Sequence, residues 1–491
     1  MQPEKIMIGR SVRLSGLPMQ TSPPLFVDLD GTLIRTDLLV ESFIELLKRH
    51  PLQALQAPFW LLRGKAYLKH RIAERIALNP QVLPYHAGLL DYLKGQRESG
   101  RALYLATASN IRYAEAVAGH LAIFEGVIAS DAERNLSGTR KLEAIQAHSP
   151  NGFAYAGNDR VDEPIWASAQ AAVLVNTPGP VAARVAARKP VEAEFAGASA
   201  GPGPWLKAIR AHQWLKNLLV FLPLLPIATS ASPAMVGMAV LAFAAFSLCA
   251  SSVYLLNDLA DLEADRAHPR KRKRPFASGS LLPLWGLMLA PVLLAAAFAL
   301  TLWMPWQFAA VLGIYWVSTS AYTFLLKRYA LIDVITLAGL YTLRVLGGAA
   351  AIAVVPSFWI LAFSMFIFFS LALAKRYAEL YAMRVLDKAG AKGRGYQVVD
   401  LTTVQLMGVA SGYLAVMVMA LYLNSPEIIE RYAHAQWLWG VCPLLLLWVS
   451  RVWLKAARGE MTDDPLVFTV RDRMSRYVLA ATVGVVLAAL L

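Results

Sequence analysis

The chain has 491 residues, of which 57% are hydrophobic and 16% charged, with a mean hydropathy of +0.46. It is too apolar for an ordinary soluble enzyme, and the excess lies after about residue 215, so the sequence describes a polytopic membrane protein. The formal net charge of +14 does not point to nucleic acid, because Lys and Arg gather in loops between apolar runs, where topology, anionic lipid or phosphate ligands account for them. Only two cysteines occur, Cys249 and Cys442, both inside apolar runs, which excludes a disulfide framework and a thiolate metal site.

In chain order, the N-terminal tail (1–23) has basic residues but no continuous apolar stretch. It does not read as a cleaved signal peptide, so the N-terminal region is expected to stay cytoplasmic. Residues 24–190 alternate short β-rich runs ("LFVDLDGTLI", "ALYLATAS", "GVIAS", "GFAYAGND", "AAVLVNT") with amphipathic stretches, as in a parallel α/β sheet. Between the first two runs, the segment beginning "LLVESFIELLKRH" has helical periodicity and enough length for a helical cap. Residues 191–205, rich in Ala, Gly and Pro, read as a linker to a membrane domain over 206–491.

That domain contains about nine runs long enough to cross a bilayer: roughly 215–230, 233–256, 281–302, 305–326, 332–354, 357–374, 403–423, 436–454 and 474–491. Every second connection is basic, and those between carry almost no Lys or Arg. The positive-inside rule then puts the basic loops and the N-terminal domain on the cytoplasmic side of the plasma (inner) membrane, with the C-terminus opposite.

The first basic loop, "NDLADLEADRAHPRKRKRPFASGS" (257–280), holds both signs of charge. If the preceding helix continues past Asn257, then Asp258, Asp261 and Asp265 share one face. Clustered carboxylates repel unless a cation joins them, and hard oxygen ligands beside phosphates suit Mg2+. The run Arg270 to Arg274 could then bind a diphosphate; as the plainer alternative, it is a positive-inside anchor. Arg344 lies eleven residues after Asp333, ~16 Å along a helix and near the bilayer midplane. A cation there needs a polar cavity or an anion, so it reads as the wall of a phosphate-accepting cavity or as the partner of a carboxylate such as Asp333. Lys216, Asn217 and Trp214 open the first run; interface anchoring and donation to a lipid phosphate are both open for them.

These stretches resemble the UbiA superfamily of intramembrane prenyltransferases, whose first Asp-rich motif reads NDxxDxxxD. The resemblance extends over about 205–491. Within it, "RAHQWLKNLLVFLPLL", "AYTFLLKRYALIDVITLAGLYTLRVLGGAAA" and "LAKRYAEL" are most similar to polyprenyl-phosphate (decaprenyl-type) phosphoribosyltransferases. The resemblance implies an all-α fold and transfer of 5-phosphoribosyl from phosphoribosyl pyrophosphate to a polyprenyl phosphate. It further implies Mg2+ on Asp258, Asp261 and Asp265, and substrate contacts from Lys216, Asn217, Asn257, Arg266, Lys271, Arg274, Tyr322, Lys327 and Arg344. Where aromatic prenyltransferases carry a second carboxylate motif, this chain has Lys375, Arg376 and Glu379, which suit an additional phosphate; a snorkelling pair with a Lys375–Glu379 contact is the alternative. Prenyl transfer to an aromatic acceptor is the second function to weigh, a phosphatase on an inert membrane anchor the third, and a homo-oligomer is compatible with each.

The N-terminal "FVDLDGT" closes a strand with Asp28-x-Asp30 and resembles motif I of haloacid-dehalogenase-like phosphatases, which implies a Rossmannoid fold with a cap. By that resemblance Asp28 attacks phosphorus, Asp30 is the general acid and base, Thr107 is the motif II hydroxyl and Lys141 the motif III cation. Mg2+ would rest on Asp28, Asp30 and Asp162. Motif IV departs from the family's GDxxxD, because Asn158 stands at its first acid, with Asp159 as a candidate substitute. A degenerate domain kept for folding or assembly is the alternative to an active phosphatase.

Overall fold

The computed structural model describes residues 22–196, 201–227, 230–386, 395–430, 432–461 and 465–490. The tail up to residue 21, residues 197–200 of the expected linker, and 387–394 and 462–464 of the basic connections lie outside the described residues. The chain divides into two compact units, one formed by the residues up to Gly201 together with Ala260–Pro283, the other by Pro202–Leu259 and Leu284–Leu491.

In the first unit, six strands form one parallel sheet: β1 (Leu25–Val27), β2 (Leu103–Asn110), β3 (Gly126–Ser130), β4 (Ala154–Gly157), β5 (Ala171–Val175) and β6 (Val191–Phe195). Their order is β3-β2-β1-β4-β5-β6. Alternate residues serve two cores, Leu25, Val27, Leu103 and Leu105 on one face and Phe26, Ala106, Tyr155 and Ala172 on the other. This is why the strands are apolar almost throughout. Strand order reverses between β1 and β4, and open α/β sheets place their ligand crevice at that point, beyond the strands' carboxyl ends. The expected cap is helical and has a small core of its own around Leu46, Ala54, Ala57, Trp60 and Ile72.

Two boundaries differ from expectation. Val191–Phe195 is a strand paired with β5, so the sheet extends past 190 into the expected linker. Its glutamates hid the pattern: Glu192 is held by both terminal nitrogens of the buried Arg101, at 2.7 and 3.0 Å. Residues 260–283 belong to the α/β unit. Gly279 explains the close fit, because at φ +73° it lies where an added Cβ would be 2.6 Å from the Arg35 carbonyl oxygen.

In the second unit, six helices are long and apolar enough to cross a membrane among the described residues: Pro233–Ala260, Pro283–Trp303, Ile332–Ala351, Phe358–Val385, Val398–Leu423 and Ala435–Ala457. Three of the nine expected spans fall outside that set. Ala211–Leu224 is a 3-10 helix of 14 residues that includes Lys216 and Asn217. Trp306–Phe324 has 19 residues diluted by Gln307, Ser318, Thr319 and Ser320, and Arg473–Leu490 carries Arg473 and Arg476 in its first turn. The 3-10 segment packs tightly on Ile332–Ala351, where a Cβ at Gly348 would stand 2.0 Å from the Val220 carbonyl oxygen. Only glycine allows that approach.

Candidate active site

The α/β unit places its predicted residues around the sheet's switch point. Asp28 follows β1 and Asn158 follows β4. The buried Lys141 ammonium donates to Asp28 Oδ1 at 2.8 Å and to the Tyr155 hydroxyl at 2.9 Å, and lies 3.5 Å from Asp162 Oδ1. Asp30 accepts from Leu38 N–H at 2.9 Å and from Ser109 Oγ at 2.5 Å. Burial pushes both carboxyls above their ordinary range; Lys141 pulls Asp28 back down, while Asp37 adds to the rise at Asp30. Lys141 thus favours the anionic form of Asp28, and Asp37 favours a proton on Asp30. Thr107 differs from expectation: it is fully buried, and its hydroxyl accepts Ser109 N–H at 3.0 Å.

The donor set for Mg2+ falls short here. Asp162 Oδ2 accepts Asn158 N–H at 3.2 Å and Asp159 N–H at 3.4 Å, while Oδ1 accepts the Tyr155 hydroxyl at 2.9 Å. Asp162 is therefore committed to shaping the loop and orienting Lys141. Asn158 supplies a carboxamide that accepts from Thr32 Oγ1 at 3.2 Å, and Asp159 is exposed. No cluster of three or more His, Cys, Asp or Glu is arranged for a metal among the described residues.

The Asp-rich motif also differs from the expected single helix. The helix Pro233–Ala260 ends after Asp258, Asp261 caps the start of a second helix, Leu262–Ala267, and Asp265 lies on that one. The buried Asp258 is bound by Arg210, whose guanidinium also lies over the Tyr254 ring. The buried Asp265 pairs with Arg274 at 2.6 Å and lies 3.9 Å from Lys271. Arg266 is not poised for a diphosphate: it is buried in a two-point ion pair with Glu41, one contact at 2.8 Å, and Thr36 donates to the same carboxylate. In kind, Asp258 and Asp261 are hard oxygen donors of the sort Mg2+ takes, and Asp258 would exchange Arg210 for the ion.

The apolar unit holds two buried guanidiniums in different settings. Arg344, 4% exposed, donates from Nε to Asn217 Oδ1 at 2.7 Å, from Nη1 to the Leu340 carbonyl at 2.5 Å and from Nη2 to the Tyr315 hydroxyl at 2.8 Å. The Tyr315 and Tyr341 rings lie 4.8 and 5.6 Å away, and Lys216 is 5.9 Å from the Tyr341 ring. Asn217 is itself fixed by donating to Ser247 at 2.9 Å. Among the described residues no carboxylate pairs with Arg344. Asp333, its expected alternative partner, instead pairs with Arg376 at 2.6 Å.

Arg376 is thus placed differently from the phosphate ligand it was expected to be. Asp333 and Glu379 both bind it, and Tyr396 covers it while donating to Asp333 at 2.7 Å. Tyr322 lies within reach of the Lys375 and Arg376 charges. Lys327 and Lys375 are half-buried, Asn257 is in the last turn of its helix, and Trp214 donates to Ser251 at 3.0 Å. Sequence reasoning missed Arg210, Glu41, Ser109, Tyr155 and Tyr315. Arg210 alone had a signal, opening the stretch "RAHQWLKN".

Residues 217–471, just over half of the chain, match the UbiA prenyltransferase family. A Sinorhizobium fredii protein described as uncharacterized is 38% identical over 461 residues, 93% of this chain and 89% of its own. The decaprenyl-phosphate phosphoribosyltransferase of Mycolicibacterium smegmatis is 38% identical over 194 residues, 38% of this chain and 60% of its own. Among solved structures, a UbiA homolog from Archaeoglobus fulgidus bound to GPP and Mg2+ aligns at 16% identity over 58% of this chain and 99% of its own, with a TM-score of 0.45. The chain is an integral membrane protein and belongs to the UbiA prenyltransferase family.

Proposed function

We propose that the membrane unit transfers 5-phosphoribosyl from phosphoribosyl pyrophosphate to a polyprenyl phosphate in the plasma (inner) membrane. The observation that carries this reading is Arg344, a buried guanidinium held only by neutral acceptors among the described residues, with Asn217 and Lys216 beside it. A cation so placed is costly unless an anion joins it, and a lipid phosphate is an anion that resides in a bilayer. The 38% identity, over 38% of this chain, to a protein named decaprenyl-phosphate phosphoribosyltransferase supports a phosphoribosyl group and a polyprenyl phosphate acceptor.

In this reaction a lipid phosphate oxygen forms a bond to ribosyl C1 while the C1–O bond to diphosphate breaks, and diphosphate leaves with the electron pair. Mg2+, held by Asp258 and Asp261, would offset charge on the departing diphosphate. Arg344 and Asn217 orient the acceptor phosphate, and the exposed Arg270, Arg272 and Lys273 attract the soluble donor. Positioning and charge neutralisation therefore carry the catalysis. The positive-inside pattern puts the basic loops and the α/β unit in the cytoplasm, where this donor is dissolved.

The test uses the full chain in nanodiscs with labelled phosphoribosyl pyrophosphate and decaprenyl phosphate. Lipid-extractable label should form with Mg2+, and Asp258→Asn should lower it by about 100-fold or more with insertion unchanged. If a prenyl diphosphate and an aromatic acid are used efficiently instead, the family's aromatic prenyl transfer is the activity.

For the α/β unit we propose phosphomonoester hydrolysis, with the product's ribose 5-phosphate as substrate. Asp28 would attack phosphorus, the ribose oxygen would leave with a proton from Asp30, and water would then release phosphate from the aspartyl ester. Lys141, 2.8 Å from Asp28, supplies the adjacent positive charge. Both activities on one chain raise the effective concentration of product, toward the millimolar range for short links. Asp28→Asn should accumulate the phosphorylated lipid while donor consumption continues; identical lipid products from both chains would end this assignment.

A further inference from the structure

The cap of the α/β unit exposes an apolar face that its own folding does not use. Helices Pro51–Ala54 and Ala57–Leu62 are too short to persist alone and are held by Ala54, Ala57 and Trp60, which enter the cap core. The intervening Leu55 and Gln56 keep right-handed helical angles, as does Arg63 after them, so the run winds as nearly one helix until Gly64 at φ +108°. Leu52, Leu55, Phe59 and Leu62 recur at helical spacing opposite that core, and they are 79, 68, 69 and 85% exposed. Four adjoining large apolar side chains turned fully outward mark a contact surface.

The charge around this face selects its partner. From Lys48 to Ala73 the sequence contains Lys48, Arg49, Arg63, Lys65, Lys69 and Arg71 and no Asp or Glu. Arg63 donates to Tyr67 at 3.0 Å and lies over its ring, and Arg71 and Arg75 lie over Trp60, so several of these cations are held in place. Glu45 and Glu74 flank this run and each pairs with two of the cations, Lys48 and Arg49 or Arg71 and Arg75, which leaves the rim in net cationic excess with Arg63 and Lys65 next to the stripe. Such a stripe complements the headgroup region of an anionic bilayer, where leucine and phenylalanine enter the acyl boundary and Lys and Arg meet phosphates. A second copy of this chain would bring a like-charged rim against this one, which disfavours self-association. In an integral membrane protein a bilayer is always at hand, so even modest affinity suffices.

We infer that residues 51–65 form a bilayer-contacting face that seats the cap on anionic lipid. The surface alone carries this inference, and it holds whichever reaction each unit performs. The cap's next helix, Lys65–Ala73, carries Lys69, which donates to Asn135 at 2.9 Å and to the Ala108 carbonyl at 2.6 Å on β2, the strand whose Ser109 donates to Asp30. Lipid seating would therefore also restrain the cap helix that reaches strand β2 through Lys69.

The experiment is depth-dependent quenching on the full chain in vesicles of phosphatidylcholine with roughly a quarter phosphatidylglycerol. Cys249 and Cys442 are replaced by Ala, and a fluorophore is attached at Leu55→Cys, at Phe59→Cys or, as control, at Arg188→Cys on the exposed side of the α/β domain. Spin-labelled lipids should quench the two cap labels at least about threefold more than the control, and Arg63→Glu with Lys65→Glu should remove most of that difference. Cap labels as solvent-accessible as the control would overturn the inference. So would labels shielded from solvent yet not quenched by lipid, because a protein surface would then cover the face.

Discussion

Arg344 and Arg376 are both buried guanidiniums on apolar helices of one unit, yet they sit in opposite electrostatic surroundings. Arg376 is matched by Asp333 and Glu379 and covered by Tyr396, whereas Arg344 meets an amide, a carbonyl, a phenol and two tyrosine faces. A charge already neutralised contributes to the fold and has little left for a ligand. One held only by dipoles retains most of its attraction for an incoming anion. Charge compensation, which sequence position does not report, separates the structural cation from the candidate ligand.

Breaking the matched pair should have the largest effect. Arg376→Met leaves the buried Asp333 and the half-buried Glu379 without this cation and should cost about 3–5 kcal/mol, read as a lower melting temperature in detergent and poor recovery of folded protein. Adding Asp333→Asn should restore part of the loss. A variant that keeps full stability and loses only substrate affinity would return Arg376 to the binding site.

The unmatched cation should behave in the reverse way. Arg344→Met should leave the melting temperature close to that of the parent while transfer falls about 30- to 100-fold, ~2–3 kcal/mol, through weaker binding of the phosphate acceptor. Arg344→Lys should be intermediate, since it keeps the charge and loses the fork that spans Asn217 and Tyr315. Equal destabilisation by the Arg344 and Arg376 variants would erase the distinction.

The α/β pocket sharpens the comparison from the other side. Lys141 already lies between Asp28 and Asp162, so an acid added at 158 contributes negative charge beyond what Lys141 offsets. Asn158→Asp should therefore raise Mg2+-dependent hydrolysis of p-nitrophenyl phosphate by the full chain about tenfold, ~1.4 kcal/mol in the barrier. An unchanged rate at saturating Mg2+ would mean that Asn158 does not limit the chemistry.

Much of the candidate site was legible because its signals are local. A strand that runs into Asp28-x-Asp30 brings both carboxyls to its carboxyl end, and an apolar run of helix-spanning length records burial residue by residue. The charged segment 257–280 was less legible. Its aspartate spacing assumes an unbroken helix, whereas the helix stops at Ala260 and Arg210, Glu41 and Arg274 each claim a charge within the segment. Glu41 lies 225 positions from Arg266, and no periodicity marks such a pair. Strand β6 went unread for a related reason, since Glu192 looks like linker polarity until Arg101 is found bound to it.

By itself, the sequence determined that the chain enters a membrane, that an α/β domain precedes the membrane part, and which side chains have the chemistry for phosphate and Mg2+. Hydropathy, strand alternation and short motifs are properties of neighbouring residues, so they survive without coordinates. Only the tertiary structure decided which cations are matched, because pairing energy depends on distance and desolvation between residues far apart in the chain. It separated Arg344 from Arg376, bound Asp162 to its own loop and Lys141, and joined residues 260–283 to the α/β unit.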